Sequence, residues 1–581
     1  MNKIEKIICL ALGAVLAWYI WAEMGKAKER AAEAAKQSQV VTAAKAAEGR
    51  SGKDSAAPVP DAAQPPQAGE AESAPLQQKQ EAASLPDVPE KLVALENAQL
   101  KLELSSWGAV VKRATLKEYA KDCGEISETN PAVTLDFSAA PLGELGGVPG
   151  LAANAAYEVR DVTSNSVVFV NAFVTRKITL GENFRVTFDE TFRSVPSAST
   201  STPSLFSSLS LGAMAMGASK NDQLSIDSWA MDVGKGKPGV VHHYEGDSPL
   251  KPYLVGGASG GCSGSSSAAG MPRSQSVKFP GAQKWIALKN RFFVTALCSS
   301  TDANVGFDTV VTRDLRQANY RPESISAKAL FESVGETRTT TFFVGPKKQS
   351  LLWDLGMRDV MDFGMWRWIC YPIVYVLNVF NDWIPNYGVA IILLTILVRL
   401  VFWPLTRKST EGMKKMQEIQ PLMKEIQAKY KDNPQRLQQE TWALYRDHKV
   451  NPLSSCLPML IQIPVFIALF NVLRSAVELR YAPFLWIADL SEPEGLLSAY
   501  LPFGGLNILP ILMALSTGLQ SYFTPSAGDK SQQKMMTVFM PVMMLVMFYS
   551  FPSALSLYWF LSNLFSIVQM WLIRRRTAAA K

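Results

Sequence analysis

Histidine is nearly missing from this chain: three occur in 581 residues, His242, His243 and His448. The six cysteines (Cys9, Cys123, Cys262, Cys298, Cys370, Cys456) form no CxxC pair. Together these absences exclude a zinc-ligand pattern, and His242-His243 beside Tyr244 reads as a polar loop. No G-x-x-x-x-G-K-[ST] is present, so no P-loop is expected. No Lys/Arg-rich run interleaved with aromatics suggests direct nucleic-acid binding. The long apolar runs of the C-terminal third contain no Asp, Glu or His, which removes the acid/base groups of an intramembrane hydrolase. The expectation is a protein that is not an enzyme and needs no cofactor.

Apolar residues make up 48% of the chain and concentrate near its two ends. The first 22 residues carry Lys3 and Lys6, then an uncharged run closed by Trp18, Tyr19 and Trp21, without an A-x-A cleavage site. That pattern predicts an uncleaved signal-anchor helix over 1–22, its N-terminus in the cytoplasm. Residues 23–90 are rich in Ala, Pro and Gln and cannot bury a core, so they form a disordered tether. From 91 to 345 apolar and polar residues alternate, as in LKLELSSWGAVVKRATL and FRVTFDETF, which predicts a large all-β sandwich of antiparallel sheets. Asp189-Glu190 there reads as a solvated face, and one disulfide among Cys123, Cys262 and Cys298 is possible but unpaired by sequence.

Residues 346–385 are uncharged over only 14 positions (368–381), with Trp366, Trp368 and Tyr371 before Pro372. This suits an amphipathic helix lying in the interface. Crossings follow near 386–406, 452–474, 506–523, 535–551 and 553–573. Between the first two lies a helical hairpin, 407–449, with ten Lys/Arg against six Asp/Glu. Met413, Met416, Ile419, Met423, Ile426 and Tyr430 give it one apolar face. One anchor plus five core crossings places the β domain outside and both termini and the hairpin inside. Only the Arg474/Arg480 stretch breaks the rule that short basic segments stay in the cytoplasm.

Within 383–406 the only charge is Arg399, about 12 Å along a helix from Arg407 at ~1.5 Å per residue. A guanidinium inside the hydrocarbon costs at least ~2.5 kcal/mol. It either faces a wet cavity or snorkels to the headgroups. Thr395 shares its face four residues earlier. Gln462 and Asn471 on the second core helix, Ser516, Thr517, Gln520 and Ser521 on the third, and Ser562, Asn563 and Gln569 on the last are polar in apolar surroundings. They are either interhelical hydrogen-bond partners or a substrate path. The six methionines of 535–547 suit adaptable packing or an ordinary lipid-facing surface.

The strings GVAIILLTILVRLVFWPLTRKS, MKKMQEIQPLMKEI, VNPLSSCLPMLIQIPVFIALFNVL, VELRYAPFLWIADLS and LYWFLSNLFSIVQ, in that order, closely resemble the YidC/Oxa/Alb family of membrane protein insertases. An anchor followed by a large β domain is similar to the Gram-negative form, whose periplasmic domain is a sandwich of sugar-mutarotase type. The resemblance implies a bacterial inner-membrane insertase and chaperone acting alone or with the Sec translocon and its accessory subunits. It implies a hydrophilic groove among five helices, with Arg399 at its centre and Thr395 beside it. Gln462, Phe466, Asn471, Gln520, Tyr558 and Trp559 complete the groove, although the family often has a second tyrosine where Trp559 stands. Substrate helices would slide along Phe466 and the helix carrying Met540, Met543 and Met544. The hairpin, through Lys414, Lys415, Met416, Met423 and Lys424, would face the ribosome and the signal-recognition receptor. Nascent membrane proteins and the lipid bilayer are the implied partners. A secondary transporter or small-solute channel is the alternative, but no internal repeat supports it.

Overall fold

The computed structural model describes residues 88–148, 150–193, 207–215, 222, 224–230, 240–243, 274–302, 304–313, 322–331, 336–431, 433–448, 457–496, 505–523 and 535–578. The expected signal anchor, nearly all of the tether, and Cys9, Cys262 and Cys456 lie outside them.

Among the described residues, eighteen strands form two antiparallel sheets. One runs β1(Leu92–Glu96), β2(Leu100–Ser105), β3(Val110–Ala120), β5(Leu142–Gly146), β10(Ser207–Ala215), β17(Pro322–Phe331), β16(Asn304–Arg313), β13(Ser274–Pro280), with β4(Ala132–Asp136) also on β3. The other runs β12(Val240–His243), β11(Ser225–Ala230), β14(Gln283–Lys289), β15(Phe293–Ser300), β18(Thr337–Pro346), β9(Arg185–Phe192), β8(Val174–Leu180), β7(Ser166–Val170), β6(Glu158–Arg160). Alternation drives this. In β9 the inward set is Val186, Phe188, Glu190 and Phe192, all buried, because successive side chains point to opposite faces.

That pleat corrects one expectation. Glu190 is not on a solvated face; it is 1% exposed, and its neighbour Asp189 points the other way to accept from Thr339 Oγ1 at 2.8 Å. Glu190 pairs with Arg176 (Nη2 to Oε1, 2.8 Å) and with Arg338 (Nη2 to Oε2, 2.6 Å), both fully buried. His242-His243 is also not a loop: it ends β12, opposite Ser228 and Asp227 of β11. Cys123 and Cys298 are both unbridged.

After β18 come α1(Gln349–Asp354), two 3-10 turns (Arg358–Met361, Gly364–Trp366) and α2(Arg367–Trp383). Cys370, Ile373, Val374 and Leu377 of α2 are buried at helical spacing, while Tyr375 and Trp383 are exposed. Next are α3(Tyr387–Glu418), α4(Gln420–Lys429), α5(Pro434–Asp447), α6(Leu457–Ser475), α7(Ile508–Phe523), a π-helical turn (Met535–Phe539), α8(Met540–Phe548) and α9(Ser553–Ala578). Among the described residues one helical stretch, Tyr387–Arg407, is long and apolar enough to cross a membrane; Gln462–Ser475, Ile508–Phe523 and Thr537–Phe548 are apolar and shorter. The chain divides into two compact units: Ala82–Ile396 with Lys408–Lys581 form the larger, and Leu397–Arg407 falls outside it.

Helix α3 does not stop at the basic segment that follows its apolar stretch. It runs on to Glu418 and breaks at Ile419, where Pro421 cannot donate back to Gln417. The second break is the Asn433-Pro434 signal: the Asn433 side chain accepts from the Arg436 N–H, and Pro434 opens α5.

Candidate functional site

The polar side chains of the apolar helices are joined inside the helical group. Asn563 Nδ2 on α9 donates to Thr517 Oγ1 at 2.8 Å and Ser516 Oγ at 3.0 Å on α7. Gln462 Nε2 on α6 donates to Tyr558 Oη on α9 at 3.0 Å, and Tyr558 is 1% exposed. Thr395 is fully buried on α3 and donates to the Ile391 carbonyl one turn back at 2.7 Å. Such bonds satisfy groups that hydrocarbon would leave without partners. Arg399, one turn beyond Thr395 on α3, is half-buried, and Leu400 after it is exposed.

Phe466 on α6 stands at the centre of an aromatic group. Its ring meets Trp559 edge-on at 5.0 Å and Phe548 at 5.8 Å, and lies 6.4 Å from Phe470. Phe551 closes the group against Phe548 and Phe470 at 4.9 and 5.4 Å. Sequence reasoning missed Phe470, although it stands one turn after Phe466 on α6. It also missed Phe548 at the end of α8 and Phe551 in the turn before α9, which no spacing rule joins to α6. Around the polar interior the outward faces are apolar. Val538, Phe539, Val542, Met543, Val546 and Met547 are exposed on the π-helical turn and α8. Leu515, Leu519 and Tyr522 on α7, and Leu564, Val568 and Trp571 on α9, are exposed at helical spacing. Met540 and Met544 are half-buried, and so is Gln520 on α7.

Two groups of sequence-selected residues fall elsewhere. Asn471 sits nine residues beyond Gln462 on α6 and lines a cavity of about 140 Å³ with Lys289, Arg291, Lys347, Asp362 and Arg474, at the seam with the β sandwich. In the hairpin, Met416 is buried with Ile419 and Leu444, and Met423 packs against them while accepting from Tyr445 Oη at 3.2 Å. Those two methionines therefore form the hairpin core rather than a contact surface, because α5 covers the apolar face of α3 and α4. Lys415 and Lys424 are exposed; the Lys414 side chain lies outside the description.

The seam went unread in the sequence. Arg291, in the β14–β15 turn, donates to the Arg474 carbonyl at 2.7 Å and the Ser491 carbonyl at 2.6 Å, and pairs with Glu492. Arg480 donates to the Ala120 and Lys121 carbonyls of the β domain at 2.8 and 3.0 Å. Burial holds the Arg480 guanidinium below its ordinary pKa and raises the Asp489 and Glu478 carboxyls. Burial, then Lys289 beside it, pushes the Lys347 amine down to about 7. Glu494 accepts from the first N–H groups of α7, Ile508 at 2.9 Å and Leu509 at 2.5 Å.

Known proteins match this chain in two segments. Residues 379–580 match the family described as 60Kd inner membrane protein, and residues 265–376 match the YidC periplasmic domain. The membrane protein insertase YidC of Syntrophobacter fumaroxidans is 42% identical over 301 residues, covering 50% of this chain and 53% of that one. That of Syntrophus aciditrophicus is 44% identical over 298 residues, covering 50% and 52%. The chain thus spans about half the length of the curated relatives it matches. Among solved structures, an active YidC insertase with its first transmembrane domain resolved covers 84% of this chain and 93% of its own, at 18% identity and TM-score 0.33. A putative aldose 1-epimerase from Escherichia coli K12 covers 44% of this chain and 99% of its own, at 9% identity and TM-score 0.25.

Proposed function

The chain belongs to the YidC family, and we propose that it inserts newly made proteins into the bacterial inner membrane. The observation that carries this reading is the inversion in the helical group: hydrogen-bonded polar side chains inside, apolar faces outside. A helical group of that kind suits lipid as its solvent. The relatives named as insertases supply the activity.

The mechanism follows from the residues. Arg399 draws acidic groups in the short exported part of a substrate and keeps water in the inner half of the bilayer, so a polar segment crosses a thinner barrier. Half-buried Gln462 and Gln520 offer hydrogen bonds along the way, with buried Tyr558 holding Gln462 in place and buried Thr395 behind them. The substrate's apolar helix then leaves past Phe466, Trp559 and the Met540–Phe548 helix into lipid, and its burial drives the step. Five crossings, with the β domain periplasmic and both termini and the hairpin cytoplasmic, complete the topology. Exposed Lys415 and Lys424 suit contact with the ribosome and the signal-recognition receptor, and the Sec translocon is a further partner.

The test is Arg399→Ala, reconstituted in liposomes with a short single-span substrate whose exported tail is acidic. Insertion should fall while the protein stays folded. Undiminished insertion would defeat the groove mechanism.

A further inference from the structure

The loop after α6 holds a four-residue turn of unusual composition. Phe484 and Ile487 close it with two reciprocal backbone hydrogen bonds, each 2.9 Å. At its tip Leu485 adopts φ +54°, a left-handed conformation that tight turns normally give to Gly, Asn or Asp. The backbone strain holds out a leucine that is 76% exposed, followed by Trp486 at 44%. Trp486 is oriented as well as exposed, because its Nε1–H donates to Glu494 at 3.1 Å.

The turn is seated. Phe484 fills a notch at Gly388, the second residue of α3; a Cβ there would lie 2.1 Å from the Phe484 ring. Ile487 is buried. The tip therefore stands at the N-terminal end of the one described stretch long and apolar enough to cross a membrane. Trp383 and Ile384, just before that stretch, are exposed too. Large apolar side chains with a tryptophan at the end of a crossing helix are the composition of a membrane interface, whereas a loop tip in water is ordinarily polar.

We propose that the Phe484–Ile487 turn is a membrane-seated finger: Leu485 and Trp486 enter the boundary between headgroups and acyl chains of the outer leaflet. Phe484 couples that anchorage to α3. The finger fixes the depth and tilt of the outer end of this helix, and through Arg480 it also fixes the height of the β domain above the lipid. The inference rests on the reading of α3 as a crossing helix.

The experiment is site-directed spin labelling of the full chain in liposomes, with native cysteines replaced by serine and labels at Leu485→Cys, Leu400→Cys and Val162→Cys. Relaxation by dissolved oxygen reports lipid, and relaxation by a water-soluble nickel chelate reports water. Leu400 should give the lipid signature, Val162 the water signature, and Leu485 an oxygen-to-nickel ratio several-fold above that of Val162. If Leu485 matches Val162 while Leu400 reports lipid, the finger is wrong and the crossing stands. If Leu400 also reports water, the crossing falls and takes the finger with it. Shielding of Leu485 from both reagents means a protein surface covers it, which also overturns the proposal. A photoactivatable phospholipid applied to the unaltered chain gives a readout that needs no variant: labelling should map to the 481–488 peptide, and its absence there counts against the finger.

Discussion

Replacing Glu190 by glutamine should destabilise the β sandwich far more than removing an ordinary ion pair. Glu190, Arg176 and Arg338 are all buried to within 1%. Glutamine keeps the shape but leaves two guanidinium groups without their counter-charge. The two are not equally exposed to that loss. Arg176 also donates to the Gly108, Ala109 and Gly143 carbonyls at 2.8, 2.9 and 2.6 Å. Arg338 has Glu190 and only a long 3.4 Å bond to Ser207 Oγ, with the Phe331 and Phe192 rings about it. Breaking a buried pair from one side costs about 3–5 kcal/mol, whereas replacing the pair by apolar groups is often neutral. So Glu190→Gln should cost about 4 kcal/mol, and adding Arg338→Met should restore most of it, since the aromatic surroundings accept a methionine. For a domain of this size about 4 kcal/mol is a fall of roughly 10 °C in the melting temperature. Calorimetry of the full chain in detergent reads this transition. A loss under about 1 kcal/mol, or a double variant as unstable as the single one, would refute the asymmetry between the arginines.

Lys347 gives a pH-dependent counterpart. Its amine titrates at about 7 in the folded protein against an ordinary 10.5. As pH falls from about 10 towards 7 the unfolded chain gains a proton that the folded one does not, so stability is lost across that window and is flat below it. Lys347→Met should therefore stabilise the β domain at pH 7, by at most about 5 kcal/mol at ~1.4 kcal/mol per decade, and the gain should vanish towards pH 10.5; equal melting at pH 7 would contradict it. Leu444→Ala removes the centre of the hairpin core and should cost about 2–3 kcal/mol. The sign is faster chymotryptic cleavage at Tyr430 and Trp442, with the β domain intact; unchanged cleavage would show that the Met416–Ile419 face is held by something other than α5.

The period-two stretches around β2, β3, β7, β9 and β18 were legible because alternation over five or more residues has one cheap solution, a half-buried strand. The hairpin was legible for the same kind of reason, and Asn433-Pro434 marked its turn. Its two misread features have a common cause. Met416 and Met423 lie on the very face that predicted the hairpin, and a face that predicts packing is thereby used up in packing. Glu190 was misjudged because a charge on the inward side of a strand is hydrophilic by composition whatever its partner. Only the positions of Arg176 and Arg338, 14 and 148 residues away, make it an interior residue.

The exception in the charge pattern follows from the same limit. Arg474 and Arg480 stood out as basic residues in a segment expected outside the cytoplasm. Arg480 is committed to the Ala120 and Lys121 carbonyls, and the Arg474 carbonyl receives Arg291. A guanidinium held by backbone acceptors of a folded domain no longer reports on orientation, since that rule concerns charges in short flexible loops. The acidic residues of the loop are engaged as well: Asp489 accepts from Tyr481 and Ser491, Glu492 pairs with Arg291, and Glu494 caps α7. What read as a loop with mixed charge is a bracket between sandwich and helices. Its side chains bond to partners as far as 360 residues away, so no window along the chain contained the information. The same reasoning explains why the polar residues of α6, α7 and α9 were found but not their pairing. Each is conspicuous alone in an apolar helix, yet Gln462 with Tyr558 and Asn563 with Thr517 are matched only by the way the helices pack.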